Sequence, residues 1–175
     1  RDHFTASAHG RVYSAKAKNA PDCLTCHREP VSPPAGAKAT LAQKLAQTKQ
    51  CEACHVQRET VAGQAVRGVK FVKSFDQSVH GAALERGETK AANCVDCHGA
   101  HEMNRALIPG ARMGKGLVAE TCAQCHVEIG REFSGSVHAA ALGKGNADSA
   151  TCTDCHGEHD IKAHLDPTSR VYKTH

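Results

Sequence analysis

Residues 94–101 read Cys94-Val95-Asp96-Cys97-His98-Gly99-Ala100-His101, and the first five of them decide the fold. Two cysteines three positions apart, followed at once by histidine, form C-x-x-C-H, the attachment signature of c-type haem. The chemistry sets the spacing. The two sulfurs reach the two vinyl carbons of one porphyrin as thioethers, and the adjacent histidine lies beneath the ring to bind iron. The pentapeptide recurs as Cys23-Leu24-Thr25-Cys26-His27, Cys51-Glu52-Ala53-Cys54-His55, Cys122-Ala123-Gln124-Cys125-His126 and Cys152-Thr153-Asp154-Cys155-His156. Ten cysteines are present, and all ten fall in these five copies. Other uses of cysteine do not fit. Paired C-x-x-C zinc sites do not require a histidine after every second cysteine. A thioredoxin-like motif occurs once, beside a βαβ pattern, and a disulfide across two residues is strained and does not come in fives. The sequence therefore predicts five haem c groups, with His27, His55, His98, His126 and His156 as proximal iron ligands.

The rest of the composition agrees. Of 175 residues, 3 % are aromatic and none is Trp. A chain this poor in large apolar side chains has little with which to offset its ordering entropy. With about 35 residues per haem, the porphyrins are expected to pack against one another and replace the missing aromatic core. The formal charge is +4. Ten ionised propionates and five ferric porphyrin cores would bring the total to roughly −1, so the basic residues read as propionate partners and not as a nucleic-acid surface. No run of eighteen apolar residues is present, so no membrane span is expected. The chain opens at Arg1-Asp2-His3-Phe4, which fits an exported protein whose signal peptide has been removed.

An internal repeat sorts the remaining histidines. Ser78-Val79-His80-Gly81-Ala82-Ala83-Leu84 matches Ser136-Val137-His138-Ala139-Ala140-Ala141-Leu142, and both run on to Asp-Cys-His-Gly-x-His, ending at His101 and His159. A weaker copy begins at Ser7-Ala8-His9-Gly10. His9, His80 and His138 stand at one constant spacing before Cys23, Cys94 and Cys152, the first cysteines of the odd-numbered motifs. The unit is an upstream histidine, an odd haem, then an even haem, giving repeats at about 7–73, 74–131 and an incomplete 132–165 within one domain spanning 1–175. His9, His80, His101, His138 and His159 are thus the expected sixth ligands. The simplest pairing puts His9, His80 and His138 on haems one, three and five, and His101 and His159 on haems two and four. The competing pairing gives His80 and His138 to even haems and His101 and His159 to odd ones. Where a trailing histidine of the first motif would fall, the residue is Pro30. His3, His164 and His175 lie outside the repeat and read as surface residues, a terminal one being able to reach a haem in a neighbouring subunit. Met103 and Met113 do not recur with the unit, so bis-imidazole ligation and low potentials are expected.

Secondary structure reads as short helices between attachment sites, mostly irregular chain, and little or no sheet. Thr40–Gln50 carries Leu41 and Leu45 at i, i+4 and leads into Cys51. Ser74 with Gln77 resembles a capping box for a helix bearing His80 that stops near Gly87. Ser134–Leu142 and Leu117–His126 read as further helices. Residues 30–36, with three prolines, and residues 59–70 read as loop and connector, with a possible short strand pair near Val69–Val72.

On these motifs the chain resembles the multihaem cytochromes c over nearly its whole length. The likeness is to small periplasmic or extracellular electron carriers, including the pentahaem donors of respiratory nitrite reduction. The resemblance implies electron transfer in anaerobic respiration between redox protein donors and acceptors, with no catalytic residues. Two other readings stand beside it. One is a subunit of an extracellular cytochrome filament, a homo-oligomer continuing the haem row. The other is a multihaem reductase with one open iron, against which all five motifs end in His, not Lys.

Overall fold

The computed structural model describes residues 2–28, 32–34, 36–58, 60–61, 64–65 and 69–173. Short α-helices joined by turns make up this chain, and the odd and even attachment motifs enter their helices differently.

Each odd motif starts its own one-turn helix. These are α3 (Cys23–His27), α7 (Cys94–His98) and α11 (Cys152–His156). The residue before the first cysteine and the second residue between the cysteines satisfy each other's backbone amides, a capping box. Thr25 N donates to Asp22 Oδ1 at 2.7 Å, and Asp22 N to Thr25 Oγ1 at 3.2 Å. Asp96 N and Asn93 N make the same exchange with Asn93 Oδ1 and Asp96 Oδ2 at 3.1 and 3.0 Å. In α11, Asp154 Oδ2 accepts from Thr151 N at 2.7 Å. Gly99 and Gly157 end α7 and α11 at φ of 78° and 81°, a left-handed turn that other residues adopt at a cost.

Even motifs come at the end of a helix already running. α4 (Leu41–His55) is capped by Thr40 and Gln43 and continues through Cys51 to His55, farther than the expected end at Gln50. α8 (Val118–Ala123) carries Cys122, and the chain turns through Cys125 and His126 into α9 (Val127–Ser134).

The upstream histidines share one local design. His9, His80 and His138 are each the second residue of a seven-residue helix: α2 (Ala8–Ser14), α6 (Val79–Glu85) and α10 (Val137–Gly143). Each is N-capped by the serine just before it, whose hydroxyl accepts from the amide of Gly10, Gly81 or Ala139. The cap of α6 is therefore Ser78 and not Ser74, and α10, capped by Ser136, starts three residues after the expected start at Ser134. Ser74 and Ser134 turn their hydroxyls back onto the carbonyls of Phe71 and Arg131. Ser74–Gln77 forms a 3₁₀ turn after α5 (Val69–Lys73), and α1 (Asp2–Ala6) precedes α2. The expected strand pair near Val69–Val72 is thus helical. A two-residue antiparallel pair, β1 (Thr60–Val61) and β2 (Gln64–Ala65), stands just before it.

The chain forms two compact units, Arg1–Met103 with three motifs and Asn104–His175 with two, a division falling inside the second repeat. Among the described residues the buried apolar side chains are Ala83 and Leu84 in the first unit and Ala111 and Val118 in the second. Polar contacts do much of the joining. In the first unit Lys44 Nζ of α4 donates to Ala91 O and Asp96 Oδ2, both at 2.8 Å. Asn93 Nδ2, on a residue 1 % exposed, donates to Lys44 O at 3.2 Å and Gln47 Oε1 at 2.7 Å. The helix of motif two thereby holds the cap of motif three. In the second unit Lys115 pairs with Asp154 at 3.1 Å, again the capping carboxylate of an odd motif.

Candidate functional site

In α3, α4, α7 and α11 the two cysteines of the motif lie at i and i+3, one turn apart on one face, while in the fourth motif only Cys122 is helical and Cys125 lies in the turn after α8. One turn is the reach two vinyl groups of one porphyrin require. Cysteines of successive motifs also come together. Burial pushes the Cys26 thiol up, and the neighbouring Cys54 adds to it. The thiol of Cys51 hydrogen-bonds Cys94, which pushes Cys51 up, with burial adding to it, and holds Cys94 down. Cys122 does the same for Cys152, which falls to about 7. Motifs one and two, two and three, and four and five therefore present their sulfurs side by side.

The histidines are arranged in facing pairs in the first unit. The ring centroids of His9 and His55 are 6.0 Å apart with planes at 36°. Those of His27 and His101 are 5.9 Å apart at 31°. Metal–imidazole nitrogen bonds are about 2 Å, and each nitrogen lies about 1 Å from its ring centre, so two imidazoles sharing one metal hold their centroids about 6 Å apart. Both pairs have that separation. Among the described residues no group of three or more His, Cys, Asp or Glu is arranged to hold a bare metal ion. A pair of ligands is what haem iron needs, because the porphyrin supplies its four in-plane nitrogens. The residues present fit the group.

Burial favours the neutral, ligating form of His9, His55 and His159. Burial lowers the pKa of His9, and the neighbouring His55 adds to the effect. His55 is open to solvent on one side, yet the protein packed around it still lowers its pKa by desolvation. His159 is lowered mainly by burial, against the opposing charges of Glu158 and Asp160. Neutral imidazole is the metal-binding species.

The facing pairs cross the repeat. His9, upstream of the first motif, stands against the proximal histidine of the second. His101, trailing the third motif, stands against that of the first. In these two pairs the upstream histidine faces an even motif and the trailing histidine an odd one. His80 lies on α6 and His98 ends α7, while His126, His138, His156 and His159 belong to the second unit. His3 sits on α1 and His164 in an exposed turn. His175 and Pro30 fall outside the described residues.

Several positioning residues carry no motif signal. Phe4, Phe75 and Phe133 recur three residues before the capping serines. The carbonyls of Phe4 and Phe75 accept from Ser7 and Ser78 hydroxyls at 2.6 and 2.7 Å. A Cβ at Gly10 or Gly81 would fall on the same carbonyls. Gln50 Nε2 donates to the carbonyls of Thr25 and Cys26 at 2.9 and 3.0 Å, tying α4 to the first motif. Ala8 N donates to Met103 O at 2.8 Å, which anchors the chain just beyond His101 to the helix bearing His9. The three phenylalanines were detectable as a period. The glutamine was not, because it occurs once.

Among the described residues no helix is long and apolar enough to cross a membrane. A family model described as cytochrome c7 and related cytochrome c matches residues 8–99, more than half of the chain. A model of the doubled CXXCH motif matches residues 87–131, spanning motifs three and four. No curated protein and no solved structure matches.

Proposed function

Because the chain belongs to the family of cytochrome c7 and related cytochrome c, and is a multihaem c-type cytochrome engaged in haem-based electron transfer, we propose that it does so through five low-potential haems. Each would be attached at one C-x-x-C-H and bound beneath by that motif's histidine. Haem supplies a ferric/ferrous couple that takes up and gives back one electron.

The facing histidines carry this reading. His27 and His101 would hold the iron of motif one, and His55 and His9 that of motif two. His80, His138 and His159 stand in the same register and are the remaining sixth-ligand candidates. Two imidazoles without a thioether favour low potentials. Side-by-side sulfurs of neighbouring motifs keep the attached porphyrins of each unit close, as rapid exchange requires. Redox proteins are the natural partners. The compartment we assign is periplasmic or extracellular, where cytochromes of this type usually work, in an anaerobic respiratory route.

The test is a mass measurement followed by low-temperature EPR of the oxidised holoprotein. Five added haem masses are expected, with low-spin bis-imidazole signals dominating. His9→Ala and His101→Ala should each convert one low-spin iron to high spin. A bare polypeptide mass would end the reading, and unchanged spectra in both variants would end the pairing.

A further inference from the structure

Two lysines share one register. Lys44 and Lys115 stand at the same spacing before Cys51 and Cys122, the first cysteines of motifs two and four. Each ammonium reaches the next odd motif. Lys44 Nζ lies 2.8 Å from Asp96 Oδ2, and Lys115 Nζ lies 3.1 Å from Asp154 Oδ2. Asp96 and Asp154 fill the second position between the cysteines of motifs three and five, where the other motifs have Thr25, Ala53 and Gln124. The two motifs with a carboxylate in the attachment turn are thus the two that these lysines reach.

Stability is a poor account of this arrangement. Lys44 is 9 % exposed, and exchanging both members of a buried ion pair for apolar side chains of similar volume is often neutral or stabilising. Capping is no account either. Asn93 N and Thr151 N donate to the carboxylates of Asp96 and Asp154, but a neutral oxygen serves as well, since Asp22 N donates to the Thr25 hydroxyl in motif one. The charge has a separate consequence. Asp96 lies between Cys94 and Cys97 and is therefore fixed at the edge of the haem those sulfurs hold. Ferric haem carries one positive charge more than ferrous haem, so a nearby carboxylate favours the oxidised state and a nearby ammonium the reduced one. Charges sheltered from water, as that of Lys44 is, are little screened by salt.

We propose that Lys44 and Lys115 set haem potentials: each counters the carboxylate in the attachment turn it reaches, and so keeps the haem of motif three or five easier to reduce than that carboxylate alone would leave it. One electron enters the iron, and no bond forms or breaks. The proposal rests on the five-haem reading, and the masses of haem-bearing proteolytic peptides separate the two failures, since motifs three and five without haem overturn both. With haem on all five, the visible spectrum of the holoprotein is titrated against potential at neutral pH. Lys44→Met should move about one-fifth of the absorbance change to lower potential. Asp96→Asn, which keeps a capping oxygen, should move the same fraction to higher potential, and the double variant should return it toward the start. Opposite signs are the mark of charge, because lost packing would move both single variants alike. Lys44→Arg keeps the charge and should leave the titration unchanged. Lys115→Met and Asp154→Asn repeat the comparison on the more exposed pair, where folding is less at stake, with shifts that shrink as salt is raised. Shifts of the same sign in both members of a pair, or no shift in any of the four single charge-removing variants, overturn the proposal.

Discussion

At the scale of single residues, the placing of His9 depends on a contact too close for any side chain but hydrogen. The helix bearing His9 begins where Ser7 turns the chain off the carbonyl of Phe4, and Gly10 passes directly over that carbonyl. Ser7→Ala removes the cap and should cost about 1 kcal/mol, read as a lower melting temperature with the haem spectrum retained. Gly10→Ala is a different lesion. Its methyl group cannot be accommodated without moving α2, and His9 moves with it. One iron should then become high spin in the EPR spectrum, as in His9→Ala, while the haem mass stays unchanged. Gly81→Ala should behave alike at His80. Glycine at both positions is visible in the sequence as part of a repeat, but its cause is not, because the obstructing atom is a backbone carbonyl. The third copy shows that the requirement is local, since Ala139 occupies the position there.

At the scale of elements, the odd attachment motifs are short helices opened by their own capping residues. Asp22, Asn93 and Thr151 start helices of a single turn, too short to persist alone in water, and each is held by a neighbour. Asn93→Ala removes the cap of α7 and two hydrogen bonds to α4 together, and should destabilise by about 2 kcal/mol. Lys44→Met leaves Asp96 and the Ala91 carbonyl without their shared donor, with a loss of about 1–3 kcal/mol. Thermal melts of the holoprotein check both. Asp22 gives a pH signature. Hydrogen bonds from Thr25, side chain first and amide second, hold its carboxyl below the ordinary value. Its contribution is therefore complete above that ordinary value and lost as pH falls through the lower folded one. Acid titration of the Soret band should show this loss, and Asp22→Asn should flatten it. Much of this level was legible. The Leu41/Leu45 spacing located α4, and the repeat located α6 and α10. The cap of α6 falls four residues beyond Ser74, because Ser74/Gln77 has the right letters while only the Ser78 hydroxyl accepts from a helix amide, that of Gly81. Ligand pairing was open for a firmer reason. A histidine at a constant spacing upstream satisfies the register equally well with either adjacent motif, and only the fold brings His9 to His55.

At the scale of the whole molecule, the aromatic-poor composition has a measurable consequence. The accessible surface is 11884 Å² for 18.5 kDa, against about 8200 Å² for a folded chain of that mass. Large apolar side chains lie in the open, among them Leu24 at 65 % between two attachment cysteines and Val127 at 54 % beside His126. Exposed residues in those places are where porphyrin faces would lie, so polypeptide and cofactor share one core. This leads to a prediction about the chain without its cofactor. Produced where haem cannot be attached, it should show far-UV circular dichroism of a largely unfolded protein and no cooperative melt. Short helices cannot supply the missing stability, since those of fewer than about 12 residues are marginal without tertiary packing. Restoring attachment at the first three motifs alone should recover helicity in the first unit, because that unit contains both facing imidazole pairs and the Lys44–Asn93–Asp96 network. A cooperative melt in the haem-free chain would mean that the polypeptide holds a core of its own, and that the porphyrins are passengers on it.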